Sequence, residues 1–302
     1  MAYVTGSASA MSDVKTAIET AAVAAGWTLT SGILSKSGCF FGLTISGTIG
    51  TNQRILLQGG TSQTGSTLNG QPTSNYGICM QEHSSDGHVF TWPLTYHIFT
   101  FTNPDEIYCV IQYGSGFYQE IAFGKTDVPG IGGTGAFFTG SCGSQYTWTP
   151  NGQFSITYNG FSASNGCLFE TYNNGAITLY VNWSGGVTNG WNNYGGSNYI
   201  FKTHRHIGTL LGMLPNTLNG TTMLLPVKVT SDVSTPVGAP QIILKPKNYR
   251  ALRNDNLANG QVITIGGVQW KTFPHFAKNT ASRTGGAGLH SGTFGFALRY
   301  EP

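Results

Sequence analysis

Between Thr95 and Phe123 the chain reads TYHIFTFTNPDEIYCVIQYGSGFYQEIAF, three β-type runs joined by turn chemistry. Tyr96 to Thr102 mixes β-branched and aromatic residues and stops at Asn103-Pro104-Asp105, where Pro104 fixes φ and removes a ladder donor. In the second run Ile107, Cys109, Ile111 and Tyr113 alternate onto one face. After Gly114-Ser115-Gly116 the third run returns with Phe117, Ile121 and Phe123 on one side. The pattern predicts an antiparallel meander with one apolar face that must be covered. Burying each aromatic or large aliphatic side chain stabilises by roughly 1.5–3 kcal/mol, so a handful of them organises a domain.

Upstream, Met11, Val14, Ile18, Ala21, Ala22 and Ala25 recur at helical spacing. They predict a short amphipathic helix capped by Ser9 or Ser12 and stopped by Gly26. Trp27 to Leu29, Ile33-Leu34, Cys39 to Ile45 and Arg54 to Gln58 read as strands between Gly/Ser turns, and the meander would continue their sheet. Gly59 to His88 reads as a polar loop with one short strand near Tyr76 to Met80, placed for an intersubunit contact. From Val128 to Asn198 the chain turns dense in Gly, Asn and aromatics, with short strands at Gln153 to Tyr158, Gly166 to Thr171 and Ala176 to Trp183. Leu210 to Leu225 is ambiguous between helix and strand, and Asp232 to Pro240 is a Pro-containing connector. Further on, Gln241 to Leu244 is a strand, Gln261 to Phe273 a hairpin turned at Gly266-Gly267, and Thr293 to Tyr300 a strand. The fold class expected is mainly β, with antiparallel, sandwich-like sheets and one short N-terminal helix. Three regions are expected: a helix-plus-sheet domain over 1–125, a Gly/Asn/aromatic-rich β subdomain or insertion over 126–200, and a C-terminal β region over 201–302 packed with the first.

Composition sharpens this picture. Only 9% of the 302 residues are charged, while 43 are Gly, so the surface is weakly protected against association and suits packing among neighbours. A net charge of +3 without clustered Lys or Arg argues against nucleic acid as a partner. Five irregularly spaced cysteines, Cys39, Cys79, Cys109, Cys142 and Cys167, make neither a disulfide framework nor a zinc site. The opening MAYVTGSASAM lacks the pattern of a signal peptide, and no apolar run is long enough to span a membrane; the expectation is a chain made, and kept reduced, in a cytoplasm.

Candidate chemistry is sparse. His204 and His206 would share a strand face, and His83 lies near His88, but no acidic residue stands beside the first pair, so a polar face or an intersubunit patch explains them better than a metal. Glu82, Asp86, Asp105, Glu106, Glu120, Asp127 and Glu170 are the carboxylates from which a glycosidase pair could be drawn, with solvated or interfacial roles the plainer account. No G-x-S-x-G and no phosphate-cradling Gly-rich loop is present, and no catalytic residue, metal or cofactor is expected. The aromatics Trp148, Tyr158, Trp183, Trp191, Tyr194 and Tyr199 are the candidate ligand or interface residues. Stacked on sugar rings with Asn alongside, they could read a host glycan, and packed together they serve core or interface.

Three stretches carry a resemblance: the helix ending AAGWTL, the run YHIFTFTNPDEIYCVIQYGSGFYQEIAFGKTDVPGIGG leading into AFFTGS, and the tail ITIGGVQWKTFPHFAKN with HSGTFGFALRY. Together they resemble a family of virion structural proteins of tailed bacteriophages, over about half the chain and excluding the Gly/Asn-rich middle. The resemblance implies a noncatalytic tail or baseplate subunit, present in several copies in the virion and docking other tail proteins through loops. The alternative is a receptor-binding module of the tail tip that reads a host surface glycan. The two separate on whether the aromatic middle is needed for adsorption or for assembly.

Overall fold

The computed structural model describes residues 1–72, 77–82, 89–141, 168, 179–185, 189–191, 201–203, 222–231, 241–281 and 291–302. Its described residues are mainly antiparallel β with a single helix. Strand β1 (Ala2–Ala8) leads into helix α1 (Met11–Ala24), whose Met11, Val14, Ile18, Ala21 and Ala22 are buried at the expected spacing. The cap differs from expectation. Ala10 occupies the N-cap, and the orphan N–H groups of Ser9 and Ala10 donate to the Asp13 carboxylate at 2.8 and 3.1 Å. An acid in the first turn thus does what a capping serine would do, and suits the positive end of the helix dipole. At the other end Gly26 takes φ +85°, as the stop requires.

The first sheet orders β2 (Thr28–Thr30), β3 (Ile33–Lys36), β4 (Cys39–Ser46), β5 (Arg54–Gly60) and β8 (Ile78–Gln81). Between the last two, β6 (Ser62–Thr64) and β7 (Thr67–Asn69) form a hairpin inside the stretch expected to be loop. The meander is β9 (Leu94–Thr102), β10 (Asp105–Gly114) and β11 (Phe117–Lys125). It does not continue the first sheet. It forms the centre of a separate six-stranded sheet ordered β1-β9-β10-β11-β12-β13, where β12 is Ala136–Ser141 and β13 is Leu179–Val181. β1 takes its place through the register Tyr3↔Phe99 and Thr5↔His97.

In the C-terminal part, β14 (Phe201–Thr203), β16 (Val229–Ser231) and β17 (Ile242–Leu244) make a small sheet. A larger one orders β15 (Leu225–Pro226), β18 (Tyr249–Arg253), β21 (Phe294–Arg299), β20 (Val268–Pro274) and β19 (Val262–Ile265). The hairpin at Gly266-Gly267 is as predicted, both glycines having positive φ. The strands expected at Gln153 to Tyr158 and Gly166 to Thr171, apart from buried Leu168, lie outside the described residues.

The central sheet is covered on both faces, which corrects the expectation of a single apolar face. Ile98, Ile107, Cys109, Ile111, Ile121, Phe123 and Phe138 join α1 and the first sheet in one core. From the opposite face Phe99, Phe101, Tyr108, Val110, Tyr118 and Ala122 join the C-terminal sheets in a second. The intervening positions of the meander are themselves mostly apolar, as a strand buried on both sides demands. Its cover therefore comes from the chain's own outer layers. β20 crosses the central strands: Lys271 lies over Tyr3 of β1, Phe273 against His97 and Phe99 of β9, and His275, the residue after its end, beside Glu120 of β11. This is the crossed form of sheet packing.

Candidate functional site

A three-layer sandwich buries polar side chains wherever a layer must be tied to the next, and each must find a partner. Glu106 on β10 does so most completely. Its carboxylate accepts the Lys247 N–H at 2.8 Å, the Asn248 N–H at 3.2 Å, the Asn248 side-chain amide at 2.9 Å and the Tyr108 hydroxyl at 3.1 Å. Burial nonetheless holds its pKa above the usual carboxylate range, with the hydrogen bonds pulling the other way. Glu82 accepts the N–H groups of Gly50 and Phe90 at 2.9 and 3.0 Å. Asp105 pairs with Lys36 at 2.7 Å. Glu120 lies 3.6 Å from His275 Nδ1 between two layers, and burial lowers that imidazole to about 3. Asp127 is exposed, and Asp86 and Glu170 lie outside the described residues. The buried carboxylates among these hold backbone or basic partners at separate joints between layers.

Cys39, Cys79 and Cys109 are buried thiols, and burial pushes the Cys39 thiol up to about 12, far from the thiolate that reactivity needs. Among the described residues no group of three His, Cys, Asp or Glu side chains is placed to hold a metal. None of their helices is long and apolar enough to cross a membrane. His83, His88, His204 and His206 lie outside the described residues.

Of the six candidate aromatics, Trp148, Tyr158, Tyr194 and Tyr199 lie outside the described residues, and the other two are inside the protein. Trp191 is fully buried, its ring edge-on to Phe138 at 5.4 Å, and its indole N–H donates to the Gly70 carbonyl at 2.8 Å. Trp183 belongs to the second core. The structure thus sets the two tryptophans in different cores. Neither shows a face to solvent.

What sequence inspection missed is a rim cluster at the open end of the seam between central and C-terminal sheets. The Tyr3 hydroxyl lies 2.8 Å from His97 Nδ1, and the Thr5 hydroxyl, 3.2 Å from that nitrogen, donates to the Tyr96 carbonyl at 2.8 Å. The Tyr3 and Tyr300 rings meet edge-on at 4.9 Å, and the Lys271 ammonium stands over both, 5.6 and 5.5 Å from their centres. Such distances are within cation–π range. Burial first and the Lys271 charge second lower His97 to about 4, so the imidazole is neutral at pH 7. The neutral imidazole and the Tyr3 hydroxyl share one hydrogen bond, whose direction follows the tautomer. The one sequence signal was the Thr5/His97 register, legible only once β1 is known to pair with β9. Comparison with protein-family models and with curated proteins finds no match.

Proposed function

We propose that the chain is a noncatalytic structural subunit of a tailed-phage virion, made in the bacterial cytoplasm and seated in the tail or baseplate, where it docks neighbouring copies and other tail proteins. The observation that carries this reading is β1. It ends the order of the central sheet with the sequence AYVTGSA, which has no Lys, Pro, Asp or Glu, and its Val4 side chain is 39% exposed. Outer strands are ordinarily blunted by charge, proline or a bulge, and one that is not offers its free backbone groups to another chain. The low charge of the whole chain and the resemblance of the meander and tail to virion proteins support the same reading.

The test is direct. Mass spectrometry of purified particles should find the chain, and a Val4→Lys variant should lower the yield of complete particles while the isolated subunit melts as the wild type does. Absence from the particles, or turnover of a small substrate by the pure chain, would overturn the reading. The rival reading, host-glycan recognition by the aromatic middle, gains nothing from Trp183 and Trp191, both of which are spent on packing.

A further inference from the structure

From the rim cluster, we infer that Tyr3, Thr5, Lys271 and Tyr300 form a binding site for an acidic saccharide, a pyranose that carries a carboxylate. The anion is called for by Lys271. On β20 it sits opposite Leu298, on the face turned toward the central sheet, and among the described residues no carboxylate pairs with it. Glu301, the acidic residue nearest to Tyr300 in sequence, is engaged by Arg299, on the alternate face of β21. Among the described residues the cation stands over the faces of two phenol rings, in a protein where charge is scarce.

The ring is called for by the tyrosines. Tyr3 is fixed on three sides, by the bond to His97 Nδ1, by Phe99 at 4.9 Å and by Tyr300 at 4.9 Å, so its orientation is set before any ligand arrives. Both phenols are only partly buried. The partly buried Tyr300 ring, beside hydroxyl groups and a cation, matches a pyranose, whose C–H face stacks on it while its hydroxyls bond and its carboxylate meets the ammonium. Thr5 is exposed, and its hydroxyl proton is committed to Tyr96, which leaves its oxygen to accept from a sugar hydroxyl.

Tyr3 and Thr5 belong to β1, whose outer edge the proposed assembly uses, but their side chains lie on the face toward the C-terminal sheet, opposite Val4, and the assignment stands or falls separately: a virion subunit need not bind sugars, and a sugar binder need not be built into a particle. The experiment titrates the purified full chain with sodium galacturonate, galactose and sodium acetate, following tyrosine ring resonances or heat of binding. Galacturonate should bind saturably, at least about tenfold more tightly than galactose or acetate, as expected when one hydrogen bond to a charged group is added to ring stacking. Lys271→Met, which keeps most of the aliphatic stem, should weaken galacturonate by about tenfold or more and leave the melting temperature within a few degrees. Should Lys271→Met fail to fold, Thr5→Val on the exposed strand face and Tyr300→Ser give the same reading. No saturable galacturonate binding, equal binding of galactose, equal binding of acetate, or galacturonate binding indifferent to these substitutions would each overturn the assignment.

Discussion

The side-chain amide of Gln119 pairs with the backbone of Gln81 as a neighbouring strand would, donating to its carbonyl at 2.8 Å and accepting its N–H at 2.8 Å. Gln119 belongs to the central sheet and Gln81 to the last strand of the first sheet, so two bonds tie these layers at a fully buried point. Gln119→Leu fills the volume but strands both backbone groups. It should cost roughly 1–3 kcal/mol in urea unfolding, because a buried unsatisfied group loses its solvation without return. A cost below a few tenths would show that the pair does not hold the layers.

Glu106 fastens the opposite layer. Glu106→Ala leaves the donors of Lys247, Asn248 and Tyr108 without their shared acceptor and should destabilise by more than about 3 kcal/mol. Glu106→Gln keeps an acceptor oxygen and should cost less. Denaturant midpoints of the two variants give the ordering.

Trp191→Ala should destabilise by roughly 3–5 kcal/mol, since it opens a cavity beside Phe138 and removes the bond to Gly70. Thermal unfolding checks this. The prediction bears on any adsorption assay that uses the variant, because a loss of attachment would then follow from unfolding.

Acid should weaken the fold in a defined window. His97 and His275 titrate near 4 and 3 in the folded protein, against 6.5 for the free side chain. The unfolded chain therefore binds more protons between those values, so the stability is fully present above pH 6.5 and is lost as pH falls toward the folded values. By pH 5 the loss is roughly 2 kcal/mol for each histidine. Glu106, its pKa raised by burial, works in the opposite sense: its contribution is present below its unfolded value of 4.5 and is lost as pH rises through the folded one. His97→Gln should remove about half of the decline in the urea midpoint between pH 7 and pH 5. An unchanged decline would contradict burial of that imidazole.

The meander, α1 and the Gly266-Gly267 hairpin were legible in the sequence because alternation, helical spacing and turn glycines are local signals. β1 was not: AYVTGSA has no strong alternation, and it becomes a strand only through its register with β9. β18 (YRALR) likewise depends on its partner β21. Counting one apolar face hid Phe99, Tyr108 and Tyr118, whose burial needs a second covering sheet that arrives well over a hundred residues later. The rim cluster was invisible for the same reason: Tyr3, His97, Lys271 and Tyr300 are brought together only by the crossing of β20 over β1 and β9.

An electron cryomicroscopy map of intact particles bears most directly on the proposed assembly. The account predicts density for the three-layer sandwich in the tail or baseplate, with the outer edge of β1 against a neighbouring chain. Particles complete without this chain, or a chain in the particle whose β1 edge faces open solvent, would contradict it.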